Sequence, residues 1–264
     1  MNFDALDIGI LGPAFIAGLL VLATHIPLGR EVLRRGIIFI DLAVAQVAGL
    51  GVIAAHFFGD ELGSFAVQIA AVTAALLAAV LLNVTQKRWP EIQEALIGAL
   101  FVLAASGGLL LLAGNPHGGE HLKDLLVGQI LWVSPSALMM VAGLYVGVLA
   151  LWFGARERLG AAGFYALFAV TVTASVQLVG IYLVFASLIL PALGTRHVRG
   201  PRVLLWGYGL GVVGYAAGIV LSAIADLPTG AVVVFTLAGA AGITAALTSG
   251  RRRKKAGKKI YRQA

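Results

Sequence analysis

Apolar residues fall in long runs along this chain, separated by short clusters of Gly, Pro and charged residues. Eight runs are long enough to cross a bilayer as helices: Ile8–Leu28, Gly36–Phe58, Gly63–Thr85, Ile92–Ala113, Gln129–Phe153, Ala161–Leu190, Val203–Ala225 and Thr229–Leu247. A spanning helix needs about 20 apolar residues, and it satisfies its own backbone polar groups where no water is available. The pattern predicts an all-α, polytopic membrane helix bundle of about eight transmembrane helices joined by short connections. Ala161–Leu190 is the awkward run. It would make about 45 Å of helix, long for one tilted span and short for two. One span, two spans, or a broken re-entrant pair near Gly180 all fit it.

Composition narrows the class. The chain is 60% hydrophobic and only 12% charged, with a mean hydropathy of +0.96. Soluble domains carry about 25% charged residues, so a water-facing globule is excluded. Residues 1–250 read as one transmembrane domain and residues 251–264 as a basic tail. With no cysteine, disulfides and thiolate metal sites are ruled out. Small residues let helices approach closely in lipid. Gly207, Gly211, Gly214 and Gly218 make such a stripe, either an intramolecular contact or a dimer seam.

Charge then suggests orientation. Eight of the 19 Lys and Arg residues lie in the last fourteen positions. Directly after an apolar run, that tail reads as a cytoplasmic anchor on anionic lipid and not as a nucleic-acid site. Asp4 and Asp7 precede the first run, which lacks the marks of a cleaved signal and is expected to stay. Counting back two spans from the tail puts Arg196, Arg199 and Arg202 inside as well. A single span over Ala161–Leu190 leaves Arg30, Arg34, Arg35, Lys87, Arg156 and Arg158 outside. A pair of segments there brings them inside, as the positive-inside tendency prefers.

Polar groups inside spans are costly and each needs a reason. The set is His25, Asp41, Gln46, His56, Gln68, Asn83, Gln129 and Gln177, and Asp41 is the one acid well inside a run. Asp41 and Gln46 are about 140° apart on a helix, flanking one face. His25, just before Pro27, is expected at the level where the second helix begins, so the three residues converge near one mouth of the bundle. Carboxylate oxygen with imidazole nitrogen suits a divalent first-row metal. The competing reading pairs Asp41 with Arg34 or Arg35 as a helix-end lock.

The loop Gly114–Gly128 carries His117, Glu120 and His121, the spacing of an inverted zinc-protease motif. Pro116, Gly118 and Gly119 break any helix there and no third ligand follows. Solvated loop polarity is the preferred reading, a transient metal contact the functional one. There is no G-x-x-x-x-G-K-S/T, no G-x-S-x-G and no Cys nucleophile, so no nucleotide loop or catalytic constellation is assembled.

Four segments in order carry a resemblance: RRGIIFIDLAVAQVAGLG at Arg34–Gly51, HLKDLLVGQILWVSPSAL at His121–Leu138, VQLVGIYLVFASLILPALGTRHV at Val176–Val198, and DLPTG at Asp226–Gly230. Together they resemble the permease subunit of zinc and manganese ABC importers, the ABC-3 family. The resemblance implies a fold similar to cobalamin and siderophore importer permeases. It further implies a homodimer in the plasma membrane, both termini cytoplasmic, and Ala161–Leu190 as one span. The expected partners are a separate cytoplasmic ATP-binding subunit and an extracytoplasmic metal-binding protein. Zinc or manganese is then cargo, no cofactor is held permanently, and this chain has no ATPase of its own.

On the same resemblance Gly194, Thr195, Arg196, His197 and Arg199 form a short coupling helix for the ATPase. Arg30, Arg34 and Arg35 make an outer basic rim, with Asp41 on the outer side. One position departs from the family. Many members carry a His four residues after the Asp, and position 45 here is alanine, followed by Gln46. The missing imidazole keeps open an importer of a metal chelate or another nutrient, and an ion-coupled secondary carrier stands as the alternative from a different class.

Overall fold

A computed structural model describes residues 7–58, 63–112, 126–198 and 200–260. Among them are nine helices and no strands: α1 (Ile8–Arg35), α2 (Ile40–Phe58), α3 (Ser64–Arg88), α4 (Gln93–Leu112), α5 (Pro135–Gly154), α6 (Arg156–Val179), α7 (Ile181–Gly194), α8 (Arg202–Ala225) and α9 (Thr229–Ile260). Eight are long and apolar enough to cross a membrane, and the ninth, α7, is a shorter apolar helix. The all-α polytopic expectation holds. The helix α9 continues past position 250 through Ile260.

Helix α1 runs seven residues beyond the expected Leu28, through Pro27. A proline has no N–H for the carbonyl four residues back, here that of Ala23. The Tyr208 hydroxyl of α8 donates to that carbonyl at 3.0 Å, the kind of neighbouring-helix repair that lets membrane helices carry proline. Gly36 ends the helix in the left-handed region at φ 71°, its N–H turned back onto Leu33 and Val32.

The run Ala161–Leu190 is not one span. Helix α6 stops at Val179, and Gly180 (φ 81°, ψ 163°) breaks the chain before α7. Fourteen residues of α7 make about 21 Å of helix, too short for a hydrocarbon core of about 30 Å. Packing forces the break. A Cβ on Gly128 would lie 2.3 Å from the Val179 carbonyl, one on Gly180 would lie 2.4 Å from the Gly128 nitrogen, and one on Gly230 would lie 2.6 Å from the Val127 oxygen. The backbone at Val127–Gly128 is thus wedged between the α6–α7 break and the start of α9.

Side-chain contacts then fix helix directions. Gly214 faces Leu237, Gly218 faces Val233 and Thr236, and Ser222 bonds Thr229 at 2.6 Å, so α8 and α9 form an antiparallel hairpin. Gly18 faces Tyr215, Gly211 faces Leu22 and Gly207 faces Ile26. Helix α1 therefore opposes α8 and runs the same way as α9. The glycine stripe is filled by the chain's own helices, as an intramolecular contact would be. Helices α5 and α6 are antiparallel, with Trp152 against Phe164 and Tyr145 bonded to Ser175. Helix α7 returns along α9, from the glycine clasp at its start to Gly194 packed on Leu210 and Ala241.

One end of the bundle consequently gathers Arg30, Arg34, Arg35, Lys87, Arg88, Arg158, Arg196, Arg202 and the last turns of α9. Asp7 and Asp226 lie at the other end. This corrects two expectations: the start of α1 and the end of α9 are at opposite ends, and Arg30, Arg34 and Arg35 are on the same side as the tail. The physical reason is the reversal at Gly180, after which the short α7 carries the chain back toward the basic end.

Two outcomes check this architecture. In this cysteine-free chain, Asp7→Cys and Asp226→Cys are expected to react with an impermeant maleimide from one face of the membrane and Arg196→Cys from the other. Labelling of Asp7→Cys from the same face as Arg196→Cys, with Asp226→Cys still opposite, would restore the single-span topology. Gly218→Ala, whose Cβ meets the Val233 backbone at 2.6 Å, is expected to cost about 1–3 kcal/mol and lower the thermal midpoint in detergent. Gly209→Ala, which meets nothing within 4 Å, should leave the midpoint unchanged.

Candidate functional site

The turn at residues 36–39 brings the end of α1 beside the start of α2, and this corner holds both buried acids, Glu31 and Asp41. Glu31 is 3% exposed and takes both neighbouring arginines, since a carboxylate at position i is reached by side chains at i+3 and i+4. Arg34 donates through Nε at 3.0 Å and also through its terminal nitrogen, and Arg35 donates through Nε at 2.8 Å. The Arg35 guanidinium also lies 4.3 Å from the centre of the Phe164 ring, a cation–π contact that ties α1 to α6.

Asp41, in the first turn of α2, is 1% exposed, and neither carboxylate oxygen has a side-chain partner; the nearest donors are the backbone amides of Asp41 and Leu42. The helix-end lock with Arg34 or Arg35 does not form, because Glu31 engages both. A second carboxylate comes from α4: Glu94 Oε1 accepts from the Ile38 amide at 2.6 Å, and its Oε2 is buried without a partner. Gln93 beside it bonds Thr85 at 3.0 Å and the Leu82 carbonyl at 3.0 Å, which fixes the first turn of α4 against α3.

A sequence model of the ABC 3 transport family matches residues 7–164 and 154–247. The chain belongs to the ABC 3 transport family. Among its relatives, an uncharacterised membrane protein of Synechocystis is 26% identical over 252 residues, 88% of each chain. The manganese transport system membrane protein MntC of Halalkalibacterium halodurans is 28% identical over 229 residues, 78% of this chain and 76% of that one. The fold is similar to that of PsaBC from Streptococcus pneumoniae, solved in complex with Fab, with a TM-score of 0.74 at 20% identity over 92% of this chain and 95% of that one. The protein is thus a multi-pass ABC-transporter permease.

In this ABC 3 family member His25 is not at the level of Asp41. Helix α1 continues ten residues beyond His25 to Arg35, about 15 Å along the axis. His25 is fully buried, and its Nδ1 lies 2.9 Å from the Val21 carbonyl and 3.1 Å from Thr24 Oγ1. A bond to a carbonyl requires the proton on Nδ1, which leaves the lone pair on Nε2, and Nε2 has no partner. Around it runs a polar layer: Tyr145 bonds Ser175 and the Thr171 carbonyl, and Tyr215 bonds Ser187 at 2.7 Å. Gln46 is buried one turn beyond Asp41. Among the described residues no three His, Asp or Glu side chains gather into a metal-sized group.

Gly194 closes α7, and Thr195 is buried with its hydroxyl on the Pro191 carbonyl at 2.7 Å. Residues 195–197 form a turn, with Arg196 exposed and His197 half-buried. Arg199, His117, Glu120 and His121 lie outside the described residues. Sequence reasoning missed Glu31, Glu94 and the tyrosine–serine pairs. The signal for Glu31 was available in its spacing to Arg34 and Arg35. Glu94 stands two residues inside the expected span Ile92–Ala113.

The Glu31 cluster gives a stability prediction. Glu31→Gln removes the charge that two guanidinium groups share and is expected to cost about 1.5–3 kcal/mol. Arg34→Ala, whose side chain is 68% exposed, should cost under about 1 kcal/mol. Denaturation in detergent measures both, and equal midpoints for the two variants would remove Glu31 from its central place.

Proposed function

We propose that this chain is the membrane-spanning permease of an ATP-binding-cassette importer for a divalent metal ion, zinc or manganese, which it handles as cargo. The carrying observation is Asp41, a carboxylate enclosed in a membrane bundle with no side-chain partner on either oxygen. Intramembrane ionisable groups are expensive and mark transport paths, and hard oxygen ligands suit first-row divalent cations. The relationship to a manganese transport membrane protein supports the same reading.

The basic end faces the cytoplasm, in keeping with the positive-inside tendency. Two copies of the chain form the path, a separate cytoplasmic subunit hydrolyses ATP, and an extracytoplasmic protein delivers the metal at the end carrying Asp7 and Asp226. Gly194, Thr195, Arg196, His197 and Arg199 meet the ATPase, because Thr195–His197 is the turn between α7 and α8 at the basic end. Asp41 then lies toward the exit of the path, and His25 with its polar layer deeper inside. Residues 1–250 act as one permease domain, and residues 251–264 anchor on anionic lipid. His117, Glu120 and His121, outside the described residues, make at most a passing metal contact.

Metal uptake in cells lacking their own importers, with the chain co-expressed beside its ATPase and metal-binding protein, tests the reading. Wild type should accumulate Mn2+ or Zn2+, and Asp41→Ala at normal expression should lose at least tenfold of that uptake, about 1.4 kcal/mol or more. Unchanged uptake in the variant defeats the proposed path. The absence of the family histidine at position 45 favours one alternative cargo, a metal chelate. Uptake competed by chelates and not by free metal would decide for it.

A further inference from the structure

We infer that Glu94 is the second carboxylate of the cation station at Asp41, and that this oxygen-only pair shifts the preference of the site from zinc toward manganese. The inference rests on the divalent-metal reading above and concerns a residue outside the segments that carry the family resemblance. With Ala45 in place of an imidazole, the nitrogen ligand would have to come from elsewhere. His25 cannot supply it in this state, since it lies about 15 Å from the end of α1 with Nδ1 held by Val21. Glu94 is held in place. Its Oε1 accepts from the Ile38 amide, three residues before Asp41, and the two carboxylates are within mutual electrostatic reach.

Three carboxylate oxygens, both of Asp41 and Oε2 of Glu94, are buried there without a side-chain donor. A single shared proton would satisfy one or two of them. A divalent cation between α2 and α4 would neutralise both charges and engage all three. Carboxylate and carbonyl oxygens suit manganese and magnesium, whereas imidazole suits zinc. A site without the imidazole, built on carboxylate oxygens alone, therefore differs in selectivity from one that keeps it.

The test uses the full chain purified with its ATPase, with Mn2+ alone or Zn2+ alone as probe. Mn2+ binding is followed by electron paramagnetic resonance, Zn2+ binding by calorimetry, and transport by uptake into proteoliposomes. Glutamine keeps an oxygen to accept from the Ile38 amide, so Glu94→Gln should retain the wild-type thermal midpoint. It should weaken Mn2+ at least tenfold and Zn2+ clearly less, lowering the Mn2+/Zn2+ transport ratio. Glu94→Asp, which restores the charge on a shorter arm, should recover part of the Mn2+ affinity. An unchanged ratio in Glu94→Gln, whether both metals weaken equally or neither does, overturns the inference. Failure of wild type to bind or move either metal, or full transport by Asp41→Ala, defeats the metal reading itself and is seen before any Glu94 variant is made.

Discussion

The backbone contact between Val127–Gly128 and Val179–Gly180 is the constraint on which the architecture depends. Two peptide backbones approach so closely that a Cβ on either glycine would overlap the other chain, and both glycines take positive φ that other residues rarely adopt. A helix cannot run straight through that crossing, so α6 ends and α7 turns back. Such a break inside a membrane is tolerable only where protein surrounds it and the freed backbone groups find partners. Here the Gly180 amide bonds the Val176 carbonyl at 2.8 Å, and its own carbonyl accepts from Val184 at 3.1 Å. The reversal decides which end of the bundle every earlier helix points to.

Once the direction is set, the charges fall into order. Gathering the arginines of α1, the turn before α8 and the tail at one end makes the positive-inside tendency and the packing agree, where a single span would oppose them. Within that end Glu31 does something a charge count does not show. By engaging Arg34 and Arg35 at separations of three and four residues, it withdraws the nearest sequence-adjacent cations from Asp41. The corner therefore contains a fully compensated carboxylate on α1 and two uncompensated ones on α2 and α4. The first stiffens the junction of α1 with α6, and the others remain available to a ligand.

Legibility in the sequence followed the range of the interaction. Hydrophobic run length is local, so the helix count, the membrane class and most element centres could be read directly. Asp41 was readable because an acid in an apolar run has no local excuse. The end of α1 was not. Pro27 argues for a stop, and the group that removes the penalty is the Tyr208 hydroxyl, far along the chain. The break at Gly180 was visible as an ambiguity, but its resolution needed Gly128 and Gly230 brought to the same place. His25 was misplaced for the same reason as the helix end: its level was inferred from a terminus that a tertiary contact moved.

Depth separates the two polar stations, and that separation bears on how a path could work. Asp41 and Glu94 sit by the basic end, whereas His25 lies within a buried layer where hydroxyls of α1, α5, α6, α7 and α8 satisfy one another or the preceding carbonyls. A fully hydrogen-bonded hydroxyl layer offers nothing to a passing ion unless the helices separate, because each group it would lend is already committed. The unpartnered Nε2 of His25 is the exception in that layer, as the Asp41 and Glu94 oxygens are at the end. Both places are enclosed: Asp41 is as buried as His25. The helix best placed to change that is α7, since it carries Ser187 into the layer, starts at the glycine clasp and ends in the turn at the basic end. On the proposed contact of Thr195–His197 with the ATPase, a push on that turn would act along α7 on the layer.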